Sequence, residues 1–188
     1  MYKPDDLSNA YNAIKKGGII IYPTDTIWGI GCDATNAEAV ERVYSIKDRN
    51  DRKQMLILVD RIEMIHSYVE YVPNITRTFI ESADKPLSII FPNAMNLPVS
   101  LVGKENTIGI RVVREDFCRA LIEKLGKPIV STSANMSGDP YPARFEQILE
   151  KIKESADYVV KWRQDENKHA APSEIIKFSE KGEIIKIR

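Results

Sequence analysis

The chain has 188 residues, 43% hydrophobic and 29% charged, which suits one domain with a full core. Its 27 Lys plus Arg balance 27 Asp plus Glu, so a zero formal net charge gives no global pull toward nucleic acid or membrane. Cys32 and Cys118 stand far apart, His66 and His169 have no second ligand nearby, and neither a signal-peptide core nor a membrane-length apolar run is present, so the expectation is a reduced, cytoplasmic protein with no metal site built from its own side chains.

Residues 5–16 read as a helix capped by Asp5 or Asp6, with Leu7, Ala10, Tyr11 and Ile14 on one face and Gly17-Gly18 at its end. Ile19–Tyr22 reads as a strand that breaks at Pro23 into a polar loop, Thr24-Asp25-Thr26, followed by Trp28 and two glycines. Asn36 caps a helix over Ala37 to about Lys47, which runs into the charged stretch 47–53 and then a strand over Met55–Val59. Asp60 is placed to cap a short helix containing Ile62, Met64, Ile65 and Tyr68, and another helix follows Pro73. Strands are expected at Leu87–Phe91 and Thr107–Val113, separated by a loop over 92–106. A helix over Glu115–Leu125 closes at Gly126, and Lys127–Val130 starts a strand that ends in Ser131-Thr132-Ser133-Ala134-Asn135-Met136-Ser137-Gly138. A last helix is expected over Ala143–Glu154, with strands at Tyr158–Val160, Ser173–Phe178 and Glu183–Ile187 and a mobile polar loop over 161–172. Helices alternate with strands early and strands crowd late, which predicts α/β architecture in a single domain, 1–188, with a mixed sheet.

Three stretches carry candidate chemistry. Lys47, Arg49 and Lys53 suit a polyphosphate, and they equally suit a solvated face at a helix C-terminus. The uncharged hydroxyl-rich loop 131–138 suits hydrogen bonding to a phosphate or nucleoside, or else a capped turn. It holds no G-x-S-x-G elbow, and no histidine is placed to activate a serine, so a serine nucleophile is not expected. Arg111, flanked by apolar residues, faces solvent or pairs with an anion, supplied by the protein or by a ligand. Neither G-x-x-x-x-G-K-S/T nor G-x-G-x-x-G after a strand occurs, so any nucleotide binds by another route.

Together these motifs resemble the YrdC-type threonylcarbamoyl-AMP synthases in their short form. The matching pieces are Pro23–Gly31, Lys47-Asp48-Arg49 with Lys53, Thr107–Arg111, Ser133–Gly138 and Arg188. The resemblance implies a twisted mixed parallel and antiparallel sheet with helices around a concave pocket. It implies an L-threonylcarbamoyladenylate synthase, a nucleotidyltransferase joining L-threonine, bicarbonate and ATP and releasing pyrophosphate. The product serves tRNA threonylcarbamoyladenosine-37 modification, with tRNA or tRNA-modification proteins downstream. By motif position, Thr26, Arg111, Ser131 and Ser173 line the threonine end. Lys47, Arg49, Lys53, Thr107, Ser133, Asn135, Tyr141 and Arg188 hold ATP, and Lys47 and Arg49 also act in catalysis. Mg2+ is expected with ATP, bound through its phosphates. The sequence departs from the family pattern at Trp28, Leu58, Ser82–Ser88, Tyr141 and Ser173–Lys177, which bears on threonine selectivity. Two other readings accompany this one. One is an RNA-binding or ribosome-associated module, which zero net charge and a short basic cluster disfavour. The other is a related enzyme with a different carbamoyl or amino-acid substrate.

Overall fold

A computed structural model describes residues 1–47, 54–167, 171–179 and 184–188. Helix α1 (Pro4–Lys15) starts with proline in its first turn, where a missing N–H costs nothing. The expected Asp cap is not made. Lys3 is the N-cap without a side-chain bond, and Asp6 is buried, accepting from the Tyr158 hydroxyl (2.7 Å) and the backbone N–H groups of Lys161 (3.0 Å) and Trp162 (2.8 Å). At the other end Gly17 takes φ +79°, and Gly18 N–H returns to Ala13 O, as the sequence predicts for a glycine stop.

Strand β1 (Ile20–Tyr22) pairs antiparallel with β2 (Gly29–Gly31), so the two glycines expected in a loop lie in a strand. The close approach of neighbours explains their identity: a Cβ on Gly31 would lie 1.8 Å from Val130 O. The Tyr22 side chain crosses these glycines and donates to Val130 O at 2.8 Å. Helix α2 (Ala37–Ile46) is capped by Asn36, whose Oδ1 accepts from Ala39 N–H at 3.1 Å, and β3 (Leu56–Val59) follows.

Helices α3 (Ile62–Ile65) and α4 (Ile75–Ser82) are short. Asp60 does not cap α3; it forms an ion pair with Arg61 instead. Strands β4 (Leu87–Phe91) and β5 (Ile108–Val112) flank the expected loop. Helix α5 (Asp116–Leu125) has Glu115 as its N-cap, accepting from Cys118 N–H at 2.8 Å, and closes at Gly126. Strand β6 (Ile129–Ser133) leads into the hydroxyl-rich loop.

The single helix expected over 143–154 is replaced by a 3-10 turn, Phe145–Gln147, and helix α6 (Glu150–Glu154). Gln147 Oε1 accepts from the N–H groups of Ala143 and Arg144, Phe145 packs on Trp28 with ring centroids 5.0 Å apart, and Ile148 and Leu149 are extended between the two pieces. Tertiary packing thus overrides a local helical pattern. Strands β7 (Tyr158–Val159), β8 (Glu174–Phe178) and β9 (Ile184–Lys186) complete the described elements.

The nine strands of the described residues form one sheet in the order β7-β1-β2-β6-β3-β5-β4-β8-β9. The β1/β7, β3/β5 and β4/β8 pairs are parallel and the rest antiparallel. This is the mixed α/β architecture that the alternation of elements predicts. Register puts Gly29 and Gly31, Ser131 and Ser133, Leu56 and Leu58, Gly109 and Arg111, Ser88, and Ile175 on one face. The other face carries Ile30, Val130, Ile57, Val59, Ile110, Ile89 and Ile176, all buried in the core. One face therefore drives folding by apolar burial, while glycines and serines leave volume over the other.

Candidate functional site

Over the small-residue face lies a cavity of about 360 Å³. Seven of the predicted residues line it: Thr26, Arg111, Ser131, Ser133, Tyr141, Ser173 and Arg188. They come from the β1–β2 loop, strands β5 and β6, the segments that precede α6 and β8, and the residues after β9, so separate stretches of the chain converge only on folding. Gln54, Met55, Leu56, Ile27, Pro172 and Ile175 add lining that sequence reasoning missed. Gln54, a lone amide beside a charged stretch, carries no sequence signal for this position; its Nε2 donates to Thr107 O at 2.5 Å.

Thr26 is oriented by Thr24. Thr24 Oγ1 donates its one proton to Ile27 O at 2.8 Å and accepts from Thr26 N–H at 2.9 Å. The 2.8 Å contact between the two hydroxyls therefore has Thr26 as donor, leaving acceptor lone pairs on Thr26 Oγ1 at the cavity wall. Thr24, which reads in the sequence only as a loop-shaping residue, shapes the loop and sets that hydroxyl as well.

Arg111 is 3% exposed. Its Nη2 lies 3.3 Å from Asp25 Oδ1, and its Nε has no hydrogen-bond partner. Of the two anions the sequence leaves open, the protein carboxylate is present, and donor capacity remains at Nε. Ser173, also buried, shares a 2.8 Å hydroxyl contact with Ser88, one of the positions that departs from the family pattern. Arg188 is set beside them by its backbone pairing with Ile175 and by Nε donating to Ser173 O at 3.1 Å. Burial pushes the Tyr22 phenol far above its ordinary range, so it stays protonated beneath the site.

Other predicted residues sit differently. Lys47 is 1% exposed, which excludes a solvated face for this residue. Its Nζ donates to Ser133 O, to Asn135 O at 2.7 Å and to Asn135 Oδ1 at 3.2 Å, while Asn135 Nδ2 donates to Asp139 O. Lys47 and Asn135 therefore hold the loop after β6 and are not part of the cavity lining. Thr107 is buried behind Gln54, with its hydroxyl donating to Lys104 O at 2.9 Å. Arg49 and Lys53 lie outside the described residues.

A wider hollow of about 710 Å³ lies behind the Thr24–Thr26 loop, between Arg114, Glu115 and residues 161–166. The start of the segment expected as a mobile loop, Lys161 to Arg163, is tied down there. Trp162 Nε1 donates to Glu115 Oε1 at 2.9 Å, Arg163 Nη1 donates to Thr24 O at 2.9 Å, and Asp6 takes the N–H groups of Lys161 and Trp162. Burial, the largest influence, raises the Glu115 carboxyl above its ordinary range despite these donors. Among the described residues, no group of three or more His, Cys, Asp or Glu is arranged to hold a metal ion. No helix among them is long and apolar enough to cross a membrane.

A mixed nine-stranded sheet with a small-residue face, and over it a cavity lined by a buried arginine and a wall of hydroxyls, defines an α/β domain with one candidate binding site. The family model described as "Telomere recombination", Sua5/YciO/YrdC, matches residues 12–188, and the chain belongs to that family. A relative from Pseudoalteromonas translucida, named threonylcarbamoyl-AMP synthase, is 32% identical over 82% of this chain and 84% of its own length. One of the same name from Xanthomonas oryzae is 33% identical over 77% and 78%. Among solved structures, P. abyssi Sua5 complexed with L-threonine superposes with a TM-score of 0.84 at 22% identity, covering 97% of this chain and 53% of that one. E. coli YciO does so with 0.82 at 24%, covering 100% and 91%. These likenesses show the fold, and the chain spans about half the length of that Sua5.

Proposed function

We propose that this chain is a threonylcarbamoyl-AMP synthase, a nucleotidyltransferase that joins L-threonine, bicarbonate and ATP and supplies the product for tRNA threonylcarbamoyladenosine modification. The observation that carries the reading is the cavity in which a buried arginine with an unspent Nε stands with Thr26, Ser131 and Ser173, and Arg188 lines the wall too. The relatives named for this activity support it.

The chemistry needs no protein nucleophile. Threonine amine attacks the bicarbonate carbon and water leaves, giving a carbamate. A carbamate oxygen then attacks the ATP α-phosphorus, the bond to the β-phosphate oxygen breaks, and pyrophosphate departs. The protein aligns one anion with a polyanion and stabilises the charge that develops between them. Arg111 takes the threonine carboxylate, and Thr26 accepts from its ammonium or hydroxyl group. Ser131 and Ser133 donate toward the reacting groups, and Arg188 with Arg49 and Lys53 offsets phosphate charge. Lys47 contributes by fixing the carbonyls of the Ser133–Asn135 loop. Among the described residues, the side chains lining the cavity include no Asp or Glu. That donor set suits Mg2+ entering on the phosphate oxygens of ATP as part of the substrate, with no resident site on protein side chains.

The test is pyrophosphate release from ATP with threonine and bicarbonate each omitted in turn. Release should require both; release that ignores threonine overturns the reading.

A further inference from the structure

We infer that Asp25 is a positioning residue for the substrate carboxylate, acting through the Arg111 guanidinium; this deepens the threonine reading of the cavity and rests on it. Asp25 is held from behind. Its Oδ2 accepts from Arg114 N–H at 3.1 Å. The chain just before it is fixed by the Cys118 thiol donating to Pro23 O and by Arg163 donating to Thr24 O. Its Oδ1 has no hydrogen bond and lies 3.3 Å from Arg111 Nη2, with the two side chains 9% and 4% exposed.

A carboxylate serving only to neutralise a buried arginine is expected to meet it with two parallel N–H···O bonds. This one faces a single nitrogen and leaves Arg111 Nε unpartnered. Buried donor capacity without an acceptor is costly, and a second carboxylate in the cavity recovers it. Asp25 thus does two things before substrate arrives. It balances the arginine's charge inside the fold, and it fixes the rotation of the guanidinium that lines the cavity, ready for a planar anion. A neutral group of the same shape would leave the arginine charged and free to turn.

The test is calorimetric titration of L-threonine and of L-threoninamide, which keeps the ammonium and hydroxyl but lacks the carboxylate. For Asp25→Asn, threonine affinity should fall by about tenfold or more, while threoninamide affinity stays within about twofold. In an Arg111→Lys background, the same substitution should cost threonine less than about threefold, because both changes remove one arrangement. Equal weakening of both ligands, unchanged threonine binding, or losses that multiply in the double variant overturn the inference. If Asp25→Asn does not fold, Asp25→Glu, which keeps the charge and shifts its oxygens by one methylene, must show the same preferential loss of threonine. Wild-type protein that binds neither ligand overturns the threonine reading together with the inference; binding of both with the wrong pattern overturns the inference alone.

Discussion

At position 47 a lysine that reads as one member of a cationic cluster is a buried donor with its ammonium spent on the loop after β6. Replacing it by methionine keeps the stem but leaves the Ser133 and Asn135 carbonyls without that donor. Lys47→Met should cost about 2–4 kcal/mol of stability in urea unfolding. A loss below about 0.5 kcal/mol would return Lys47 to the class of surface cations. Gly31 sets a second limit. A methyl group there would meet Val130 O at 1.8 Å, so Gly31→Ala has to part β2 from β6. Urea unfolding should register a loss of about 3 kcal/mol or more. Residue types are informative in the sequence: Thr26, Ser131, Ser133, Tyr141 and Ser173 line the cavity with Arg111 and Arg188, while Thr107 does not. Their partners are not legible there, because the partners are remote. Lys47 meets a carbonyl 86 positions away, and Asp25 meets an N–H 89 positions away. Nothing in a window of local sequence marks Asp25 as the counter-charge of Arg111 or Gln54 as a wall of the cavity.

Among the elements, α5 and the segment after β7 behave as one clamp. Glu115 caps α5 with one carboxylate oxygen and takes the Trp162 indole N–H with the other. Its folded-state pKa is raised from an ordinary 4.5, chiefly by burial, so the native state holds that proton more tightly than the unfolded chain. The stability linked to it is full below the ordinary value and is lost as pH rises through the folded one. Thermal midpoints measured from acid to neutral pH should therefore favour Glu115→Gln over wild type progressively as pH rises across that window. A difference that does not vary with pH would remove Glu115 from the account. Asp6 anchors the same segment to α1. Asp6→Ala strips the acceptor from two backbone N–H groups, and hydrogen exchange should speed up at Lys161 and Trp162 before it does in the core strands. Most helices and strands are legible because periodicity, Asn36 and the glycine stops are local signals. The structure departs from the expected 143–154 helix, and from the expected mobile loop at its described start, because Trp28, Asp6 and Glu115 decide them from elsewhere in the chain.

For the whole molecule, one face of the sheet is buried in the apolar core and the other carries the cavity. Ligands that fill the cavity bind only the folded chain, so threonine at about 100 times its dissociation constant should add about 2.7 kcal/mol. For a chain of this size that raises the thermal midpoint by roughly 5–11 °C, and threoninamide at the same concentration should raise it less. Equal shifts from the two ligands would argue against an arginine-held carboxylate. The α/β class is legible from the order of elements. Strand order is not, since β6 sits between β2 and β3, and β8 beside β4, through pairings that no local pattern encodes. That same order places Thr26 and Arg188 around one cavity. During synthesis the first is made long before the second, and the wall carrying Ser173 and Arg188 closes only when β8 has docked on β4 and residue 188 has cleared the ribosome. A nascent chain can thus build much of its apolar layer early while its cavity stays open on one side, so the capacity to bind threonine should be gained all at once, when the β4–β8 and β8–β9 pairings form.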